Sequence, residues 1–180
     1  RPDRYLGRLL RRLVKADISV ISMHTNLDIA PGGVNDALAE ALRIEDPGPM
    51  PGDETGLCRV GRLRNPVKLS DFAAEVCEAL RANGVRYAGD RPVEYVAVGG
   101  GACGEYIAQA IALGCDTFVT SDLRYHDFLD TKELNLIDAG HFPTEQVIVP
   151  ELCRRLQAAF SAVSVSTSIS HQSEVIQYCI

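Results

Sequence analysis

The sequence is poor in positive charge, in paired cysteines and in long apolar runs. Its 18 Lys and Arg residues are outnumbered by 24 Asp and Glu residues, which gives a net charge of -6. A chain of this charge lacks the basic surface that nucleic-acid binding requires. No apolar run approaches the roughly 20 residues of a membrane span, and the start does not resemble a signal peptide. We therefore expect no nucleic-acid partner, no membrane contact and a cytoplasmic location.

The cysteines show no paired spacing. They are Cys58, Cys77, Cys103, Cys115, Cys153 and Cys179. Scattered cysteines without a C-x-x-C motif are typical of reduced thiols inside the cell, and they exclude a zinc ribbon. Cys103 lies in a glycine-rich turn and is the one candidate for a catalytic cysteine, although packing is the preferred interpretation.

Helical and strand patterns alternate along the first part of the chain. Apolar residues at helical spacing predict a helix over residues 6–14, and the β-branched run 18–23 predicts a strand. A Pro-Gly-Gly turn then precedes a short helix through Leu42, which Asn35 or a neighbour caps. The Pro- and Gly-rich stretch 45–56 predicts a linker that separates two halves.

The second part continues the alternation. The predicted elements are, in order, a strand over 57–63, a helix from Ser70, a strand over 93–98, a helix over 105–113, a strand over 117–120, a helix over 123–132, a strand over 136–138, a helix from 145 to 160 interrupted near Pro150, and a β-leaning tail from Ser161. This order predicts an α/β fold in two parts, with mixed or largely parallel sheets flanked by helices. The N-terminal α/β part covers 1–56 and the C-terminal α/β part covers 57–180.

Two distant segments each place a histidine and a carboxylate four residues apart. His24 and Asp28 follow the first predicted strand, and His141 and Glu145 follow the last one. Imidazole and carboxylate groups at a sheet edge are suitable metal ligands, so the two pairs together suggest one four-ligand site. Simpler interpretations stay open: Asp28 is suited to a backbone turn, and a His/Glu pair at a helix start is commonly an exposed contact.

Two histidines, His24 and His126, are candidates for proton transfer. His24, expected on the same strand face as Asp28, is either a metal ligand or a group hydrogen-bonded to one, and the second is favoured. His126 follows another strand by a few residues, so it is either a proton donor or substrate contact, or a polar loop residue.

A glycine-rich turn supports a rival hypothesis. Gly99, Gly101 and Gly104 form a G-x-G-x-x-G motif between a strand and a helix, and Asp122 ends the next strand, where a ribose-binding acid is expected. A tight turn with glycines for close packing is the more frequent explanation, and dinucleotide binding stays the alternative.

Four ordered blocks resemble the GTP cyclohydrolase 1 type 2 homologue family, also called NGG-one-interacting-factor-three-like proteins. The blocks are His24-Thr-Asn-Leu-Asp28 with Gly32-Gly33-Val34-Asn35, Val98-Gly-Gly-Gly-Ala-Cys-Gly104, Thr120-Ser-Asp-Leu-Arg-Tyr-His126, and Asp138-Ala-Gly-His-Phe-Pro-Thr-Glu145. The resemblance extends from about Leu6 to Phe160. It implies a dinuclear metal centre, a toroidal homohexamer, and a glycine turn that is structural rather than dinucleotide-binding.

The family pattern makes Asp28, His141 and Glu145 metal ligands. Members also carry a His-His-Pro segment upstream of the first block, whereas the first histidine here is His24. Either the chain as given lacks its beginning or intervening residues, or the protein has lost half of its ligands. The start at Arg1 rather than Met favours the first explanation. The implied cofactor is two divalent ions per subunit (zinc, iron or manganese) in the complete protein, and fewer or none in this chain.

Two functions follow as hypotheses. In the first, metal ions polarise a water that attacks a nucleotide-like substrate, and His126 or His24 moves protons. In the second, the protein is a non-catalytic, metal-binding regulatory or scaffold hexamer that recruits protein partners. The family name implies GTP as the substrate. The sequence itself supplies no base-recognition signal, so this substrate follows from the resemblance alone.

Overall fold

The structure is a computed structural model and describes residues 4–168. Its strands are β1 (Glu45–Pro49), β2 (Arg59–Val67), β3 (Arg86–Ala88), β4 (Val93–Val98), β5 (Thr117–Thr120) and β6 (Asn135–Asp138). Its α-helices are α1 (Tyr5–Lys15), α2 (Thr25–Asp28), α3 (Val34–Ala41), α4 (Leu69–Ala79), α5 (Ile107–Ala112), α6 (Tyr125–Asp130), α7 (His141–Gln146) and α8 (Val149–Ala159). A short 3-10 turn, Gly104–Tyr106, precedes α5.

The strands form one mixed sheet in the order β1-β2-β4-β5-β6-β3. The central strands β4, β5 and β6 are parallel, and the other neighbours pair antiparallel. Helices connect the parallel strands, because a parallel crossover needs a long connection. The expected α/β class with a mixed sheet flanked by helices is therefore confirmed.

The sheet buries both of its faces. Along the parallel strands, Val98, Val119 and Ile137 pack in one cluster with residues of α3 and α4. The residues in between, among them Phe118 and Leu136, pack in a second cluster with α5. Alternate strand residues point to opposite faces, so the apolar residues of these short strands supply both cores.

The predicted strand 18–23 is wrong. These residues form no strand in the structure, and Val20 and Ile21 are 64% and 85% exposed. A β-branched run becomes a strand only where a neighbouring strand pairs with it, and none does so here among residues 4–168. Helix α1 likewise has no buried residue.

The expected strand geometry at Asp28 is therefore wrong as well. Residues Thr25–Asp28 form one helical turn, with His24 as its N-cap. His24 and Asp28 consequently lie one helical turn apart instead of two strand steps apart on one sheet face.

Part of the expected linker is also regular structure. Residues Glu45–Pro49 form the edge strand β1, where prolines are tolerated because an edge strand leaves N–H positions unpaired. The division of the chain near residue 56 stays a prediction. The interruption expected near Pro150 is confirmed, since α7 and α8 are separate helices and Pro150 lies at the start of α8.

Residues 161–168 form no strand, and the rest of the predicted closing strand, with His171 and Cys179, lies outside the described residues. Within the described part of the chain, the helices are all too short or too polar to cross a bilayer.

Candidate metal centre

The carboxyl ends of the three parallel strands meet at one edge of the sheet. The glycine turn begins at Gly99 after β4, Asp122 lies two residues after β5, and His141 lies three residues after β6. Sites of α/β proteins form at this edge because the strand ends bring distant loops together. The expectation that the second His/carboxylate pair lies at a sheet edge is confirmed.

The imidazole of His141 lies between two carboxylates. Its Nδ1 is 2.6 Å from Oδ2 of Asp122, and its Nε2 is 3.0 Å from Oε1 of Glu145. His141 and Glu145 are one turn apart on α7, so the predicted common face is observed. A histidine whose Nδ1 is held by a carboxylate has a fixed ring orientation, and its Nε2 is the atom directed toward Glu145.

The two carboxylates change the protonation of this ring. Partial burial lowers the pKa of His141, but the hydrogen bond to Asp122 and the charge of Glu145 together outweigh it, and the pKa is raised above its usual 6.5. The raised pKa favours the imidazolium when no cation is present. A cation between His141 and Glu145 would supply the same positive charge and release the proton.

The glycine turn leaves room for the carboxylate of Glu145 and the imidazole of His141. Gly101 has φ +69, and a Cβ at this position would lie 2.7 Å from Oε1 of Glu145 and 3.2 Å from Nε2 of His141. Side chains accept the turn's amide hydrogens: Gly100 N donates to Oδ1 of Asn35 at 2.6 Å. Gly101 N donates in the same way to Oγ1 of Thr144 at 3.0 Å.

These hydrogen bonds argue against the dinucleotide hypothesis. A pyrophosphate needs free backbone N–H groups at such a turn, and the amides of Gly100 and Gly101 already donate to protein groups. Asp122, the expected ribose acid, contacts His141 instead. The turn is therefore a packing element beside the candidate site.

Asp28 reaches the same region from the N-terminal part. With His24 and Glu145 it lines a cavity of about 550 Å³. The buried amide of Asn35 links the two parts, because its Nδ2 donates to the carbonyl oxygen of Asp28 at 3.2 Å while its Oδ1 accepts from Gly100. Burial, followed by the charge of Glu145, raises the pKa of Asp28.

The donor set is suited to one divalent ion in an open arrangement. Within residues 4–168 no three His, Cys, Asp or Glu side chains are gathered as a ready metal site. His141 and Glu145 are in contact. Asp28 lines the same cavity as Glu145 and has no hydrogen bond to Glu145 or His141 within residues 4–168. One imidazole and two carboxylates suit zinc, iron or manganese, but they are too few for two ions, each of which takes about four or more ligands.

The other two predicted site residues differ in position. His24 lines the cavity, and its Nδ1 is 3.0 Å from Oγ1 of Thr25. His126 lies on α6, where its exposed ring packs edge-on against Tyr125, and it does not line this cavity. The proton-transfer roles of both histidines stay predictions.

Sequence reasoning missed three residues that organise the site. Asn35 or a neighbour was expected to cap α3. The N-cap is Gly33, and Asn35 instead bridges Asp28 to the glycine turn. The hydrogen bond between Thr144 and Gly101 and the contact between Asp122 and His141 were not predicted. A usable signal existed only for Asp122, which lies two residues after β5, the strand next to the one that precedes His141.

Comparison with known proteins places these features in a family. The model of a family described as Duf34/NIF3 (NGG1p interacting factor 3) matches residues 1–174. A GTP cyclohydrolase 1 type 2 homolog of Clostridium acetobutylicum is 31% identical over 176 residues, covering 93% of this chain and 66% of the relative. One of Streptomyces coelicolor is 38% identical over 154 residues, covering 78% and 54%. The chain thus spans about half to two thirds of the length of these relatives.

Solved structures agree on the fold. A Staphylococcus aureus protein superposes with a TM-score of 0.87 at 27% identity, covering 99% of this chain and 75% of that protein. The reduced HcgD protein of Methanocaldococcus jannaschii superposes with a TM-score of 0.72 at 27% identity, covering 88% and 64%.

Proposed function

The chain belongs to the Duf34/NIF3 family, and on that basis we propose that it forms part of a metal-dependent hydrolase that acts on a nucleotide-like substrate. The observation that carries the proposal is the position of His141 between Asp122 and Glu145, at the ends of the parallel strands and beside the cavity that Asp28 lines. Likeness to proteins named GTP cyclohydrolase 1 type 2 homolog supports the substrate class.

Each side chain has a role in this proposal. His141 through Nε2, Glu145 and Asp28 would hold a divalent ion, which would supply Lewis-acid activation of water for hydrolysis. Asp122 orients His141 through the bond to Nδ1. His24, on the cavity wall, is the group that moves protons to and from the substrate in this proposal. His126, which does not line the cavity, stays the second candidate.

The number of metal ions depends on the number of ligating side chains. Three ligands would hold one ion, and the family resemblance supports two divalent ions per subunit where further ligands join them. Zinc, iron and manganese all accept a mixed imidazole and carboxylate set.

A second function is a regulatory scaffold that assembles as a homo-oligomer, a hexamer by resemblance. The exposed apolar residues of α1 favour it: Tyr5, Leu6 and Val14 are 76%, 62% and 80% exposed. Large exposed apolar surfaces commonly mark sites of protein association. In either case we place the protein in the cytoplasm, which the free thiols Cys58, Cys103 and Cys115 support.

Metal content and turnover test the proposal. Wild type, His141→Ala and Glu145→Gln are loaded with zinc, iron or manganese, and bound metal and hydrolysis of GTP are measured. Glu75→Gln is the matched control, because Glu75 is an exposed carboxylate on α4 outside the cavity. We expect both site variants to lose metal and turnover while keeping the far-UV circular dichroism of wild type, and the control to keep all three.

Two results would contradict the proposal. If the wild type binds no divalent ion, the proposed metal centre is wrong. Wild type that binds metal without turning over GTP or a phosphoester favours the scaffold.

A further inference from the structure

The cavity that Asp28 and Glu145 line also has a cationic side chain on its wall. Arg81 follows α4 and borders the same 550 Å³ space. Its side chain is exposed. A metal bound by the two carboxylates would neutralise them, and Arg81 would remain as the positive group facing a ligand.

The backbone at Arg81 is fixed by the end of α4. Arg81 N donates to the carbonyl of Glu78 at 3.1 Å, and Ala82 N donates to that of Cys77 at 2.9 Å. These two bonds form a Schellman motif, in which the residue after the C-cap is left-handed, and Arg81 has φ 51.

The position of Arg81 is also tied to the metal-binding helix. The side-chain amide of Gln146, the residue after Glu145, donates to the carbonyl of Leu80 at 3.1 Å. This bond connects the end of α7 to the residue before Arg81. The backbone at Arg81 is therefore held next to α7, the helix that carries His141 and Glu145.

The guanidinium has no acidic partner among residues 4–168. Other arginines form ion pairs, for example Arg59 with Asp36 at 2.5 Å, but Arg81 forms none, although Asp28 and Glu145 share its cavity. Arginine binds phosphate through a planar, bidentate pair of N–H donors. An unpaired guanidinium on the wall of a cavity has these donors available for a ligand.

We infer that Arg81 binds a phosphate group of the substrate while the reacting part of the molecule faces Asp28, His141 and Glu145. The inference rests on the proposed function for the identity of the site, and it narrows the substrate class to phosphate-bearing molecules. Arg81 is thus a specificity-determining residue, and the Schellman motif together with Gln146 holds it in place.

Binding of inorganic phosphate tests this assignment. Calorimetric titration is carried out on metal-loaded and metal-free protein for wild type, Arg81→Asn and Arg81→Lys, with metal content measured on the same samples. Asn tolerates the left-handed backbone, so Arg81→Asn removes the guanidinium with little strain. Loss of a charge-assisted pair of hydrogen bonds lowers phosphate affinity about tenfold or more, and Arg81→Lys recovers part of it.

Arg43 supplies a matched control. It follows α3 in the same Schellman motif, with Arg43 N on the carbonyl of Glu40 at 3.0 Å and Ile44 N on that of Ala39 at 3.0 Å, and it has φ 55. Arg43 is exposed and does not line the cavity. Arg43→Asn therefore changes net charge and backbone in the same way, and we expect phosphate affinity to stay at the wild-type value.

The outcomes separate this inference from the proposed function. Equal phosphate affinity in wild type and Arg81→Asn overturns the role of Arg81 even where metal binds normally, and so does an equal loss in Arg81→Asn and Arg43→Asn. Wild type that binds no phosphate overturns it as well. If the wild type takes up no metal on loading but its phosphate affinity still depends on Arg81, the result supports the inference and contradicts the proposed metal centre.

Discussion

Asp122 Oδ2 lies 2.6 Å from Nδ1 of His141, across a separation of 19 residues in the chain. Asp122 is one of five non-glycine residues with positive φ, at 56°, in the described part of the chain. A left-handed backbone costs a non-glycine residue roughly 1 kcal/mol. The contact stabilises one orientation of the imidazole, and in that orientation Nε2 faces Glu145, as a metal site requires.

Asp122→Asn should lower the pKa of His141. The variant replaces a charged hydrogen-bond acceptor by a neutral amide, so the imidazolium loses its main stabilising partner. The same change should weaken metal binding about ten- to hundredfold, as loss of a group that orients a ligand generally does. NMR titration of the metal-free protein measures the pKa, with His141→Ala assigning the signal, and metal titration measures affinity.

The control for this variant is Asp130→Asn, a change at an exposed carboxylate on α6. It should leave the His141 titration unchanged. If Asp122→Asn also leaves it unchanged, the contact does not hold the imidazole in solution.

The contact should also make stability depend on pH. Since the pKa of His141 is raised in the folded chain, its contribution is fully present below the unfolded value of about 6.5 and is lost as the pH rises through the folded pKa. The groups are half exposed, so solvent limits the effect to about 1 kcal/mol or less. Urea unfolding of metal-free wild type and Asp122→Asn should differ at about pH 5.5 and converge at about pH 8.5. A difference that grows with pH would contradict the sign.

Gly101→Ala should disrupt the site beyond its effect on the backbone. Gly101 and Gly114 are both left-handed, at φ +69 and +76, so an alanine at either costs about 1 kcal/mol. Only at Gly101 does the new Cβ meet Glu145, at 2.7 Å from Oε1, whereas Gly114 has open space. Gly101→Ala should therefore lower metal affinity, whereas Gly114→Ala should leave it unchanged. The two variants should lose similar amounts of free energy of unfolding. Equal metal affinity in both variants would show that Gly101 does not shape the site.

The parts of the fold that local pattern decides were predictable from the sequence. The apolar runs at β4, β5 and β6 are short and buried on both faces of the sheet. The ends of these strands, after which the candidate site residues follow, could therefore be located from the sequence. The run 18–23 has the same composition but no pairing strand, and composition cannot report whether a partner exists. Asn35 and Thr144 act on the glycine turn from 65 and 43 residues away. Hydrogen bonds across such separations leave no periodicity in a single sequence.

Thr144→Val should destabilise the chain, whereas Ser121→Ala should not. The buried hydroxyl of Thr144 accepts from Gly101 N and donates to the carbonyl of Gly140, which also accepts from Thr144 N. Val keeps the shape but leaves the buried N–H of Gly101 unpaired, at a cost of about 1–3 kcal/mol. The hydroxyl of Ser121 is buried and has no hydrogen-bond partner in the described structure, so its removal relieves a desolvation cost. Urea unfolding of both variants against wild type is the measurement. A loss for Ser121→Ala as large as that for Thr144→Val would mean that its hydroxyl is bonded.

The native protein should protect Cys115 from alkylation much more than Cys153. Burial, with the nearby Asp116, raises the pKa of the Cys115 thiol to about 11, so only about one thiol in a thousand is ionised at pH 8. The thiolate is the reactive form. Cys153 lies half-buried on α8, whereas Cys115 is 4% exposed.

Mass spectrometry of the native chain after brief exposure to iodoacetamide at about pH 8 measures both sites. Modification should appear first at Cys153. In urea, where burial no longer protects either thiol, the two rates should converge, which controls for intrinsic reactivity. Raising the pH toward 11 without urea should increase the Cys115 rate as its thiolate forms, provided that the fold persists by circular dichroism. Equal rates in the native protein at pH 8 would contradict the burial of Cys115 beneath α5.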